Sequence, residues 1–268
     1  MIRPSDIRLL DVGGTFIKCG DGRCIPIASG GSKDEIASAL RTAISSSPTI
    51  VAVAIPGPFD YERGIFLMRH KFAAVYGESF RTLAALPDDA EVFFRHDVVA
   101  ALEGSNPTGN TALVTIGTGL GFAYAEAGAV QLGPTGSPAR PLYNVPWGDG
   151  ILEDVVSARG IRAAYARLKS RTDLSAAQIA NLALGGDEAA LQVFSDLGAA
   201  LGEALAPVLE ELGVGTLLLA GQVSRSLPLF ERPLRNALDG IEIRPAPAGA
   251  VFAGLERRVR AAHPHLDD

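Results

Sequence analysis

The chain has 268 residues, 47% of them apolar and 20% charged, a balance that supports a buried core and excludes a disordered chain. Lysine and arginine total 24 against 30 acidic residues, for a net charge of −6 without a dense basic run. Nucleic acid and anionic membrane are therefore not expected partners. At roughly 150 residues per domain the length allows about two domains. No apolar stretch approaches the roughly 18–20 residues that span a bilayer. The opening Met-Ile-Arg-Pro-Ser-Asp-Ile-Arg lacks the apolar region and cleavage site of a signal peptide. Two cysteines, Cys19 and Cys24, are too few for a disulfide framework or a four-sulfur zinc site. A soluble, cytoplasmic protein is the expectation.

Ile7–Val12 reads as a short strand ending in Gly13-Gly14, and Phe16–Gly20 and Cys24–Ala28 as two more around the turn Gly20-Asp21-Gly22. A helix follows from about Lys33 to Ser46, with Ile36, Leu40 and Ile44 on one face. Thr49–Ile55 is a buried strand running into Pro56-Gly57-Pro58. Glu91–Arg95 is another strand, and Asp97 stands where the helix Val98–Gly104 begins. Asn106–Asn110 is the best linker candidate, giving an N-terminal lobe over 1–105 and a C-terminal lobe over 106–268, with the last helix a candidate to pack back on the first lobe. Beyond the linker the pattern repeats: strand Ala112–Ile116, a Gly-Thr-Gly turn, strand Leu120–Ala125, two or three long helices between Gly150 and Leu212, strand Gly215–Ala220, and a closing helix, strand and helix. Two α/β lobes with a cleft between them are predicted.

Four constellations carry chemistry. In Asp11-Val12-Gly13-Gly14-Thr15-Phe16-Ile17-Lys18 two glycines let backbone N–H groups approach an anion, Thr15 adds a hydroxyl and Lys18 a positive charge. A carboxylate beside a phosphate calls for a cation between them, so Asp11 points to Mg²⁺, held through water. Gly117-Thr118-Gly119 repeats the design in the second half, and two such loops could grip one polyphosphate from both sides. Ala220-Gly221-Gln222 follows a buried strand, where the base or ribose of a nucleotide would lie; a plain strand-to-helix turn explains it about as well. Asp97, after Arg95 and His96, sits at a helix N-terminus that favours its ionised form. That suits a base acting on a hydroxyl that attacks phosphorus; an N-cap is the plainer role for the same residue.

In order and spacing these residues resemble the ROK family (repressors, open reading frames and kinases) over nearly the whole chain. The resemblance implies the two-lobed actin, hexokinase and heat-shock-chaperone (ribonuclease H-like) fold. It also implies an ATP-dependent kinase that phosphorylates a hydroxyl of a sugar or sugar-like acceptor, with Mg²⁺ as cofactor and a homodimer as the assembly. Asp97 falls on the family's catalytic aspartate. Asp11, Gly13, Gly14, Thr15 and Lys18 fall on its first phosphate loop, Gly117, Thr118 and Gly119 on its second, and Gly221 with Gln222 on its adenosine loop. Gly57 lies in its Pro-Gly-Pro segment, and Glu153 falls on a glutamate that binds sugar hydroxyls.

Departures from the family pattern concentrate around the acceptor. His96 replaces the usual asparagine before the catalytic aspartate, and Gly136-Ser137 replaces a Gly-His pair. No cysteine or histidine lies between Leu132 and Glu153, so the family's structural zinc has no ligands and is expected to be absent. Met68–Gly77 replaces a sugar loop and brings in His70 and Lys71, which suit an acidic or phosphorylated ligand or simply face solvent. Phe16 and Lys18 are arranged as in polyphosphate-dependent glucokinases, which makes polyphosphate an alternative donor. A ligand sensor without catalysis is the alternative reading, although family regulators carry an N-terminal helix-turn-helix and here the first phosphate loop starts at residue 11. Trp147 fits stacking on a sugar or packing, Cys19 and Cys24 read as plain thiols, and the helix around Leu191–Leu212 reads as core or dimer interface.

Overall fold

A computed structural model describes residues 6–45 and 47–267. The chain forms two compact units. One runs up to Asn106 and takes in Leu132–Ala139 and the segment from Pro247 onward; the other comprises Pro107–Gln131 and Arg140–Ala246. The excursion of Leu132–Ala139 into the first unit lies within what the sequence assigns to the C-terminal lobe.

The first unit opens with β1 (Ile7–Val12), β2 (Phe16–Cys19) and β3 (Cys24–Pro26). Then come α1 (Lys33–Ile44), β4 (Ile50–Ala54), the short hairpin β5 (Phe59–Asp60) and β6 (Ile65–Phe66), α2 (Phe80–Leu83), β7 (Glu91–Arg95) and α3 (Asp97–Gly104). Its main sheet has the order β3-β2-β1-β4-β7, with β1, β4 and β7 parallel and β2 and β3 antiparallel. Ser32 starts α1 through a reciprocal capping box with Glu35, which satisfies two N-terminal donors at once. The helix ends at Ile44, where Ser45 turns left-handed; Ser46, the end of the sequence reading, lies outside the described residues.

β4 is buried along its whole length. Alternation then splits its side chains between two cores: Val51 and Val53 join Ile36 and Leu40 of α1, whereas Ile50, Ala52 and Ala54 join Ala100.

The second unit contains β8 (Thr111–Ile116), β9 (Leu120–Glu126), β10 (Ala129–Val130), the hairpin β11 (Pro146–Trp147) and β12 (Gly150–Ile151), α4 (Ala158–Lys169), α5 (Ala176–Leu184), α6 (Glu188–Glu211), β13 (Thr216–Ala220), α7 (Leu227–Ala237) and β14 (Glu242–Pro245). Its sheet order, β10-β9-β8-β13-β14, repeats the first unit's arrangement: an antiparallel meander extended by two parallel strands. α6 buries Val193, Phe194, Leu197, Leu201, Leu205 and Leu209 in this unit's core, so its apolar stripe is core. Trp147 is half-buried against the same core.

The last helix, α8 (Ala250–Ala262), belongs to the first unit and places Leu255 and Val259 under β4. Two glycines allow it to lie against α3. A Cβ on Gly104 would run into the backbone of Ala250, and one on Gly254 into the carbonyl of Ala100. No helix among the described residues is long and apolar enough to cross a membrane.

Candidate active site

Register aligns Asp11 of β1 with Ala54 of β4 and Ala54 with Arg95 of β7, so the C-terminal ends of the three parallel strands lie side by side. Such an edge is where open α/β sheets hold ligands. Asp11 is also the cross-strand partner of Lys18, and Lys18 Nζ stands 2.9 Å from Asp11 Oδ2. Burial pushes the Asp11 carboxyl above its ordinary value; Lys18 opposes the shift and the charge of Asp97 adds to it.

The loop between the two strands is held by its carbonyls. Phe16 O accepts from the Gly13 N–H at 2.9 Å, Thr15 O from Ile27 at 2.9 Å and Gly14 O from Ser29 at 3.1 Å. The N–H groups of Gly14 and Thr15 have no acceptor among the described residues, and Thr15 is exposed. Neither glycine is left-handed; a Cβ on Gly13 would stand 3.1 Å from Phe16 O and one on Gly14 3.3 Å from Ser29 Oγ, so a larger residue would need those neighbours to give by a few tenths of an ångström.

Asp97 is the first residue of α3, and His96 occupies the cap position before it. Asp97 Oδ1 accepts the Val98 N–H at 2.7 Å and lies 2.7 Å from His96 Nδ1. Val98 N is also 3.3 Å from that nitrogen. A ring nitrogen cannot donate and accept at once, and the shorter contact has His96 donating to Asp97. Burial would raise the Asp97 carboxyl. The charge and hydrogen bond of His96, the Val98 amide and the charge of Lys71 outweigh it and hold the group below its ordinary value. Asp97 thus combines the cap-like contact with the ionised state that acceptor chemistry needs.

Gly57 lies against this pair: a Cβ there would meet Tyr61 Oη at 3.2 Å and the His96 ring at 3.4 Å. Tyr61, which no local sequence pattern marks, is buried. Its hydroxyl donates to Ile55 O at 3.1 Å and its ring centroid is 5.9 Å from that of His96. Burial, with the Asp97 charge adding, holds its phenol well above the ordinary value. On its other side Gly136, at φ 76°, would bring a Cβ to 3.2 Å from Tyr61 Cβ. The Gly136-Ser137 segment that departs from the family pattern is therefore packed beside the acceptor candidates. Lys71 is half-buried and acts electrostatically on Asp97, whereas His70 is exposed.

In the second unit, Gly117 N–H donates to Gly119 O at 3.0 Å, and the N–H groups of Thr118 and Gly119 have no acceptor among the described residues. Thr118 is exposed. Ala220 pairs with Thr115 at the adjacent strand end, so Gly221 follows beside the loop. At φ 92°, with Ile116 O against its α-carbon, no other residue fits there. Gln222 is exposed and starts a 3₁₀ turn, Val223–Ser226, ahead of α7. Glu153 lies with these loops in the same unit: its Oε2 accepts the Leu120 N–H at 2.9 Å. The structure thus gathers Asp11, Lys18, Gly57, Lys71, His96 and Asp97 in the first unit and Gly117–Gly119, Glu153 and Gly221 in the second.

No protein-family model matches the sequence, and no curated protein matches it. Solved structures do. A ROK family glucokinase from Streptomyces griseus, in complex with glucose and AMPPNP, superposes with a TM-score of 0.79 at 19% identity, over 94% of this chain and 98% of that one. A ROK family transcriptional regulator, a homolog of the E. coli MLC protein, gives 0.72 at 21% identity, over 97% of this chain and 80% of that one. An inorganic polyphosphate/ATP-glucomannokinase from Arthrobacter gives 0.67 at 17% identity, over 96% and 100%. The chain has the ROK fold. The resemblance carried by the glycine loops and Asp97 is thus joined by a likeness in the path of the chain over 94% of its length. The same ROK fold carries sugar kinases and a regulator, so the site decides between them.

Proposed function

We propose that the protein is a ROK-type kinase that transfers a phosphoryl group from ATP to a hydroxyl of a sugar or sugar-like acceptor. The observation that carries this reading is Asp97: an ionised carboxylate at a helix start, clamped at one oxygen by His96 and the Val98 amide. Phosphoryl transfer needs positioning and charge neutralisation more than a strong base. A carboxylate held below its ordinary pKa is a weak base, but it can orient an acceptor hydroxyl through Oδ2 and take its proton late, once the bond to phosphorus has formed. Gly57, His96 and Lys71 are the acceptor-side candidates; Glu153, an acceptor-side residue by resemblance, has its carboxylate on the Leu120 amide at the Gly117–Gly119 turn instead. Gly13, Gly14, Thr15 and Lys18, with Gly117, Thr118 and Gly119, are the phosphate-side candidates, and Gly221 and Gln222 would border the nucleoside.

Mg²⁺ is compatible with these residues. It is usually bound through one or two carboxylates together with substrate phosphates, its remaining positions filled by water. Asp11, most of its side chain covered and its charge only partly offset by the exposed Lys18, is the group that would hold it through water. The ion would supply charge neutralisation at the transferring phosphate. Lys18, paired with Asp11 but largely exposed, would neutralise a chain of phosphates, which keeps polyphosphate as a second donor to test.

A sensor without catalysis is the second reading, favoured by the regulator's comparable likeness in fold and by His96 among the acceptor-side candidates. The two separate in one assay: ADP release from Mg-ATP over hexoses, N-acylhexosamines, polyols and acidic sugars, with polyphosphate as alternative donor and Asp97→Asn as control. Turnover with one acceptor, lost in the variant, establishes the kinase. Sugar or nucleotide binding with no turnover from any donor establishes the sensor.

A further inference from the structure

Glu153 falls on a family glutamate that binds sugar, but its contacts face the second phosphate loop. Oε2 accepts the Leu120 N–H at 2.9 Å, and the same atom would stand 2.5 Å from a Cβ on Gly119. Five residues further on, the Ala158 N–H donates to Gly117 O at 2.8 Å. The segment Glu153–Ala158 therefore grips Gly117–Leu120 at both ends. It is itself rigid: Ser157 is fully buried, donates from Oγ to Glu153 O at 2.6 Å and accepts the Gly160 N–H at 3.1 Å, which starts α4. Arg159 holds the far side of the carboxylate, 3.5 Å from Oε1, while making its shorter contact of 2.8 Å with Asp154.

We infer that Glu153 is a positioning residue for the phosphate donor: its carboxylate fixes the Gly117–Leu120 turn with the Thr118 and Gly119 N–H groups free for an anion. This rests on the kinase reading for what the loop binds, but the brace itself rests on contacts within one unit. The physical logic is that of preorganisation. A loop whose free amides already point outward binds phosphate without first ordering itself, and a charge-assisted hydrogen bond to a backbone amide is among the stronger ways to hold it. The close approach also explains Gly119, since any side chain there would displace the carboxylate.

Glu153→Ala and Glu153→Gln test the assignment, the second keeping an oxygen acceptor of the same shape. Two measurements are made on each full-length variant: hydrogen exchange of the Leu120 amide, and the affinities for Mg-AMPPNP and for the acceptor identified in the turnover assay. In Glu153→Ala the Leu120 amide exchanges about tenfold faster and AMPPNP affinity falls about tenfold, with acceptor affinity unchanged; Glu153→Gln restores most of both. Unchanged Leu120 exchange in Glu153→Ala, or acceptor affinity lost while AMPPNP affinity stays, overturns it. A wild-type chain that binds no nucleotide sinks the kinase reading instead, and the Leu120 amide still decides whether the brace exists.

Discussion

His96 and Asp97 are adjacent in the chain and joined again through their side chains, Nδ1 to Oδ1 at 2.7 Å, on top of the first turn of α3. Both contacts fall on Oδ1, and Oδ2 is the oxygen that the proposed function offers to an acceptor hydroxyl. His96 also packs on Gly57 and faces the Tyr61 ring, so the Gly57 backbone, imidazole and carboxylate form one connected cluster.

Removing the imidazole should change how the carboxylate titrates. His96 is the main group drawing Asp97 below its ordinary pKa against the effect of burial. In His96→Ala that value rises, so the acid limb of the kcat/KM profile moves to higher pH. The sign for stability follows from linkage. A depressed carboxylate contributes stability above its unfolded pKa and loses it as pH falls through the folded value. The stability difference between wild type and His96→Ala should therefore be largest near neutral pH and shrink on acidification, as urea melts across pH will show. An unmoved acid limb would mean that a group other than Asp97 controls the rate.

Asp11 has the opposite sign. Burial raises its pKa, so ionised Asp11 costs stability once the pH exceeds its unfolded value. Asp11→Asn should raise Tm at neutral pH by roughly 2–4 °C, the shift that about 1 kcal/mol makes in a chain of this size. Lys18 loses a partner but is mostly solvated, and such pairs contribute about 0–1 kcal/mol. The gain should fade below pH 4, and Mg-nucleotide affinity should fall although the protein is more stable. Calorimetry and titration together check both halves.

Gly221→Ala should be costly and local. Its backbone is left-handed and its α-carbon faces the Ile116 carbonyl, so strain of about 1–3 kcal/mol is expected, with displacement of the neighbouring loop added. Gly215→Ala is the control, because nothing lies within 4 Å of a Cβ there and its φ is not positive. Denaturant melts should separate the two clearly.

The packing of α8 on α3 gives a fourth test. Gly254→Val places a branched side chain against the Ala100 carbonyl, and overpacking of this kind costs about 1–3 kcal/mol or more. Because α3 carries Asp97 at its start, activity should drop with stability although residue 254 is far from it in sequence. Exchange of α3 amides would report the loosening directly.

Much of this is legible in the sequence. The Gly-Gly and Gly-Thr-Gly hairpins, the repeated strand pattern and the helix at Asp97 are local signals, written in breaker residues and apolar spacing, and their register follows from the turns. What escaped were contacts between distant segments. Tyr61 is an ordinary buried tyrosine until β5 brings it under His96. The small faces of Gly104 and Gly254 acquire meaning only when α8 returns to the first unit. Leu132–Ala139 carries no mark that it crosses to that unit. Glu153 and Leu120 are 33 residues apart, so no window of sequence reveals the hydrogen bond between them.

The central claim is that Asp97 serves phosphoryl transfer. Its most direct test is ³¹P NMR of a mixture of protein, Mg-ATP and the best-binding acceptor, wild type beside Asp97→Asn. Wild type should yield a phosphorylated acceptor and Asp97→Asn at least about a hundredfold less, with sugar and nucleotide affinities kept. Equal product from both proteins, or none from a wild type that binds both ligands, would contradict it.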